Sequence, residues 1–135
     1  MEYTFPFEKH LRDFIVQNLD TIKFRGKTLN LYVDDNETDG VEYRTGVGII
    51  DVLAVDEEGN FVIFELKLSR GNDATLGQVL RYMGWVETHI SNGKKVSGII
   101  VAKSIDEKLK YAVSQIKNVS LFEYEIDFKI EEAKI

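Results

Sequence analysis

The chain has 135 residues, a formal net charge of −6, 44% apolar and 30% charged residues, and no cysteine. That length suits one domain, residues 1–135, with a real core, and the missing thiols exclude disulfides, thiolate chemistry and cysteine-held metals. The acidic balance argues against a protein that coats nucleic acid nonspecifically, but not against a groove with a locally basic rim.

The first expected element is a helix capped by Thr4, with Pro6 in its first turn. Phe7, Leu11, Phe14 and Ile15 recur at helical spacing and predict an inward stripe reaching about Leu19. Glu8 borders that stripe, four residues before Arg12, which suits a surface ion pair. Met1-Glu2-Tyr3 begins no signal peptide and no apolar run is long enough for a membrane span, so the expectation is a cytoplasmic protein with no membrane partner. Residues 28–34 predict a strand, residues 35–40 a polar loop, and Val41–Thr45 a returning strand. Asp34, Asp35, Glu37 and Asp39 lack the ligand spacing and terminal Glu of an EF-hand, so a solvated loop is expected there.

The centre of the chain carries the most information. Residues 49–55 and 61–68 are near-continuous apolar runs, the pattern of strands covered on both faces. Glu57-Glu58-Gly59 between them suits a three-residue hairpin loop with Gly in the left-handed position. That register sets Asp56 against Asn60 and, counting back, Asp51 against Glu65. Two facing carboxylates repel, and burial adds a desolvation cost, so a cation must lie between them. Lys67 shares the face of Glu65 by strand alternation, but one ammonium cannot neutralise two carboxylates. A divalent metal is the economical answer, and hard oxygen ligands favour magnesium over zinc or copper.

Beyond this hairpin, residues 69–73 break the strand and offer caps for a long helix over 74–90. Leu76, Val79, Leu80, Met83, Val86 and Ile90 predict its inward side; Gln78, Tyr82, Trp85 and His89 gather on the other. An outward stripe of that kind suits a floor for nucleic acid or a packing surface, with packing the better reading for Trp85 and helix-dipole compensation for His89. Val96–Ala102 predicts a strand, residues 106–116 a helix, and the strict alternation of Phe122, Tyr124, Ile126, Phe128 and Ile130 a half-buried strand over 121–130. The order αβββαβαβ gives an α/β fold, a central mixed sheet flanked by helices.

Gly48-x-x-Asp51 followed by Glu65-x-Lys67 at the end of the next strand resembles the PD-(D/E)XK superfamily of restriction-like nucleases. Gln78-Val79-Leu80-Arg81-Tyr82 is similar to the Q-x-x-x-Y element of its RecB-type branch, and the whole is most like the nuclease domain of archaeal and actinobacterial mismatch-specific endonucleases. The resemblance implies a restriction-endonuclease-like core and metal-dependent hydrolysis of DNA, rather than RNA, leaving 5′-phosphate ends. It implies that Asp51 and Glu65 hold magnesium, or manganese in its place, with the Leu66 carbonyl as a further ligand. Lys67 would orient the attacking water or act as base, Gln78 and Tyr82 would position the strand, and Glu8 would turn towards the metal. Arg70, Arg81, Lys94 and Lys95 are candidate phosphate contacts, each also readable as a plain surface cation. Two other readings stay open: a nucleic-acid-binding or assembly module that kept the fold without turnover, and a structural subunit pairing through its C-terminal strand. That strand also predicts a homodimer; with no separate recognition domain in the sequence, specificity is expected from a dimer or from another polypeptide.

Overall fold

The computed structural model describes residues 5–135. Its elements, in chain order, are α1 (Glu8–Gln17), β1 (Leu29–Leu31), β2 (Val41–Thr45), β3 (Gly48–Asp56), β4 (Phe61–Leu66), β5 (Arg70–Gly71), α2 (Asp73–His89), β6 (Val96–Ala102), β7 (Ser104–Ile105), α3 (Glu107–Val113) and β8 (Val119–Glu123). The main sheet runs β1-β3-β4-β6-β8, with β2 also beside β3. Its first half is antiparallel, while β4–β6 and β6–β8 are parallel. β5 and β7 form a separate two-stranded ladder. The architecture is the expected mixed sheet flanked by helices.

The β3–β4 hairpin has the register read from sequence. Val52 lies opposite Phe64 and Val55 opposite Phe61, and Gly59 takes the left-handed φ of 84° that the loop requires. All six residues of β4 are buried, because the sheet is covered on both faces. On one face α2 and α3 bring Leu76, Val79, Met83, Val86 and Leu109 against Ile50, Leu53, Ile63 and Ile100. On the other, α1 and the segment after it bring Leu11, Ile15, Leu19 and Phe24 against Val52, Phe64, Leu66 and Ile99. Two-sided burial removes the polar alternation from β4, as parallel neighbours in α/β sheets commonly do.

Several local expectations are corrected. The Thr4 cap lies outside the described residues; α1 starts at Glu8, after Pro6, with Phe7 at its N-cap and no side-chain cap bond. Phe7 and Phe14 are 59% and 51% exposed, so the inward stripe of α1 is only Leu11 and Ile15. Glu8 does not pair with Arg12, which instead meets Glu42 at 2.8 Å and Asp13 at 3.0 Å. The loop is solvated as expected, with Asp35, Glu37 and Asp39 exposed, and its carboxylates also serve the backbone: Asp34 accepts from the N–H groups of Asn36 and Thr38, and Asp39 from that of Val41. Leu80 of α2 is exposed and Tyr82 is buried, the reverse of the expected faces. Finally, β8 ends at Glu123 rather than running to 130; the Tyr124 N–H still donates to the Ala102 carbonyl, and Phe128 and Ile130 lie exposed beyond the strand. Beyond Ala102 the neighbouring chain turns into β7, so the sheet offers no further backbone to pair with.

The seating of α2 depends on Gly98, where an added Cβ would stand 2.9 Å from both Met83 Sδ and Val79 Cγ2. Gly77 on the same helix has nothing within 4 Å. Gly98→Ala is expected to lower unfolding stability by about 1–3 kcal/mol through overpacking. Gly77→Ala should raise it by up to about 1 kcal/mol through helix propensity. Denaturant unfolding of the two variants checks both signs.

Candidate active site

The hairpin ladder stops at Val52–Phe64. In this register Asp56 and Asn60 form a hydrogen-bonded pair, so every second pair towards the open end should bond likewise. The Leu66 N–H would then reach the carbonyl of Ile50. Instead Asp51 Oδ2 accepts it, at 2.8 Å. The strands part at this point, and a carboxylate fills the place of a backbone acceptor while β4 keeps its other neighbour, the Lys67 N–H donating to the Val101 carbonyl at 2.9 Å.

Glu65, one step from that bond, is 5% exposed. Its Oε1 meets Lys67 Nζ at 3.6 Å, and its Oε2 is buried without a hydrogen-bond partner. Burial, then the Asp51 charge, pushes its pKa up to about 7 against the pull of Lys67. Asp51 is also raised, first by burial and further by the charges of Glu8 and Glu42, against the Leu66 N–H and Lys67. Burial and mutual repulsion thus outweigh the one ammonium, Lys67, that acts on both carboxyls. Glu8, Lys9, Arg12, Glu42, Asp51 and Leu66 line one small cleft here, so Glu8 does face the Asp51 end of the sheet.

Such surroundings suit a hard cation. Among the described residues, Glu65 Oε2 is the one buried side-chain oxygen or nitrogen left without a partner, and a metal would satisfy it. No group of three or more His, Cys, Asp or Glu side chains among the described residues is arranged to hold an ion. Asp51 and Glu65 alone would leave most of a hard cation's coordination to water and to oxygens from outside the protein.

The remaining sequence candidates divide. Tyr82 is 5% exposed, and its hydroxyl lies where a Cβ on Gly48 would approach within 2.6 Å, so Gly48 lets α2 close over the start of β3. Gln78 is half-buried one turn earlier on α2, and Arg81 is exposed with its guanidinium 5.3 Å from the Tyr82 ring centroid. Arg70 pairs with Asp106 at 3.4 Å, just past the end of β4. Trp85 packs half-buried against the core, and exposed His89 lies 4.9 Å from it, ring to ring, in the last turn of α2. Lys94 and Lys95 are not at this site. They precede β6, whose Val96 is in register with Phe61, so they stand at the far end of β4 from Glu65. Sequence reading missed Glu42, which the β2–β3 register carries opposite Asp51. Counting back from the Thr45–Gly48 hairpin would have found it.

Comparison with known proteins shows the family and the fold. Residues 7–126 match the family described as the endonuclease NucS C-terminal domain. Endonuclease NucS of Sulfolobus acidocaldarius is 30% identical over 128 residues, 95% of this chain and 45% of the relative. That of Pyrococcus furiosus is 41% identical over 69 residues, 51% of this chain and 25% of the relative. The chain thus spans less than half the length of these relatives. Among solved structures, a repair endonuclease from Pyrococcus abyssi superposes with a TM-score of 0.70 at 24% identity, covering 93% of this chain and 50% of that one. A structure of an EndoMS–dsDNA complex gives 0.67 at 22% identity, covering 90% and 46%. Both show a shared fold. With most of its length matched by that family model, the chain belongs to the NucS C-terminal domain family.

Proposed function

We propose that this chain is the catalytic domain of a magnesium-dependent deoxyribonuclease of the PD-(D/E)XK, RecB-like type. The observation that carries the reading is the buried, unpartnered oxygen of Glu65 beside Asp51 at the point where β3 and β4 part. Relatives named endonuclease support nuclease chemistry, and the likeness to a protein solved with double-stranded DNA supports DNA as partner. Magnesium, with manganese as substitute, would supply Lewis-acid activation of water and of the scissile phosphate. Asp51 and Glu65 would hold the ion, with the Leu66 carbonyl as third ligand. The Leu66 N–H fixes one Asp51 oxygen and leaves the other free to ligate. Lys67, already paired with Glu65, would orient the attacking water and offset phosphate charge. Glu8 would bind water at the cleft's outer wall. Tyr82 would fix the backbone of Gly48, while Gln78, Arg70 and Arg81 would meet the strand from the rim.

Incubation with DNA and RNA panels in magnesium, manganese or chelator tests the reading. Cleavage of DNA that stops with chelator is expected; binding without cleavage in either metal would favour the assembly-module reading. Asp51→Asn should keep the fold, since its amide oxygen can still accept the Leu66 N–H. It should lower cleavage by roughly two to three orders of magnitude, as loss of a group that stabilises developing charge does.

The raised pKa of Glu65 also predicts a pH dependence. Its folded value, about 7, exceeds the ordinary 4.5, so the folded protein keeps a proton that the unfolded chain releases between those values. Stability from this group is full below the ordinary value and is lost as pH rises through 7. Glu65→Gln should therefore melt several degrees above wild type at pH 8 and close to it at pH 4. Magnesium at pH 8 should raise the wild-type melting temperature and leave Glu65→Gln unmoved. Differential scanning calorimetry reads both effects.

A cut across both strands needs two sites, so the reading includes a homodimer. β8 ends the sheet with only β6 beside it among the described residues, and Phe128 and Ile130 are exposed just beyond. Light scattering at micromolar concentration should give twice the monomer mass. A monomer that still cuts both strands would remove the dimer.

A further inference from the structure

At the far end of the sheet from the carboxylates lies a second groove, of about 350 Å³. Phe61 and Glu65 are four strand steps apart, so the two sites are separated by about 13 Å or more. The groove's floor is apolar, made by Phe24, Leu29, Val62 and Ile99. Its walls carry Arg25, Lys27, Lys95 and Lys117, against one carboxylate, Asp56. Asp56 is already answered: Lys27 lies 3.3 Å away, and the Asn60 and Glu58 N–H groups donate to it. Arg25, Lys95 and Lys117 remain in excess, in a chain whose net charge is −6. Glu57 and Glu58, on the hairpin beside the groove, are exposed and screened by water.

The cations are placed by structure. Phe24 and Lys27 exchange backbone hydrogen bonds of 3.3 and 3.1 Å around Arg25 and Gly26. Both central residues have left-handed φ, 53° and 78°, which is rare for a residue such as Arg25 and fixes where it stands. Lys95 is tied by its N–H to Asn60 Oδ1 at 3.1 Å. On this face of the sheet, Ile99 and Val101 are core residues and Phe122 packs against them, yet the series ends in Ser97 and Ser120, two hydroxyl-bearing residues that line the groove.

We propose that this groove binds a nucleotide, its phosphate held by Arg25, Lys95 and Lys117 and its base lying over the apolar floor. The volume is that of a small-ligand pocket, and the pairing of convergent cations with hydroxyls and an apolar base is what a nucleoside 5′-phosphate requires. The nucleotide is either free or the 5′-phosphorylated end of a strand. Neither case draws on the carboxylate site.

Calorimetric titration of the full chain in chelator, with adenosine 5′-monophosphate, a 5′-phosphorylated thymidine tetranucleotide and inorganic phosphate, tests this. At least one nucleotide should bind about tenfold or more tightly than inorganic phosphate, as added contacts to the sugar and base imply. Preference for the monophosphate identifies a free nucleotide, and binding of the tetranucleotide alone identifies a strand end. Lys95→Ala with Lys117→Ala, and separately Arg25→Ala, should each weaken binding by about tenfold or more, the loss of a charge-assisted hydrogen bond. Glu65→Gln should leave it unchanged. Nucleotides that bind no better than phosphate, binding that survives both cation variants, or binding lost in Glu65→Gln would each overturn the proposal. Chelator removes any metal, so failure of the nuclease reading does not alter these outcomes.

Discussion

The hydrogen bond from the Leu66 N–H to the Asp51 carboxylate organises one end of the molecule. A backbone donor buried in a sheet must be satisfied, and here a side chain does what the opposing strand would have done. The strands are thereby released from each other after Val52–Phe64 without leaving that N–H orphaned. The same bond fixes the position of Asp51 at the mouth of the gap. Glu65 follows from the register alone, since it precedes Leu66 on a strand whose other edge stays paired to β6. A gap between strands and two carboxylates at its mouth are thus one feature.

Burying those carboxylates is unfavourable in the free protein, and both raised pKa values express it. Lys67 offsets only part of the charge. The rest of the fold must therefore supply the stability that this end withholds, and it does so through two apolar layers. Every residue of β4 is buried between them. α2 is drawn close to the sheet at Gly98 and over the start of β3 at Gly48, two places where only hydrogen fits. That close approach turns Tyr82 into the core and leaves Leu80 at the surface.

Charge is also arranged along the sheet. Glu8, Glu42, Asp51 and Glu65 gather where β4 ends, while Arg25, Lys27, Lys95 and Lys117 gather where it begins. An acidic total therefore conceals a basic groove. Composition averages over the surface, whereas binding depends on local potential.

The sequence by itself determined the elements whose signals are local. The apolar runs of β3 and β4 with Gly59 between them fixed a hairpin register, and that register alone put Asp51 opposite Glu65. Val41–Thr45 and Val96–Ala102 were legible in the same way, from composition and the turns that bound them. What depended on a partner was not legible. Helical periodicity shows that α2 has two sides, but which one faces inward is decided by how near the sheet allows it to come, and Gly98 and Gly48 set that distance. The alternation of residues 121–130 promised a long strand, yet a strand needs a neighbour's backbone, and β6 gives way after Ala102. Lys95 and Arg25 are 70 positions apart, and only the crossing of β6 beside β4 brings them to one groove. Local hydrogen-bonding and burial patterns are written in neighbouring residues; distances between segments come from the packing of the whole.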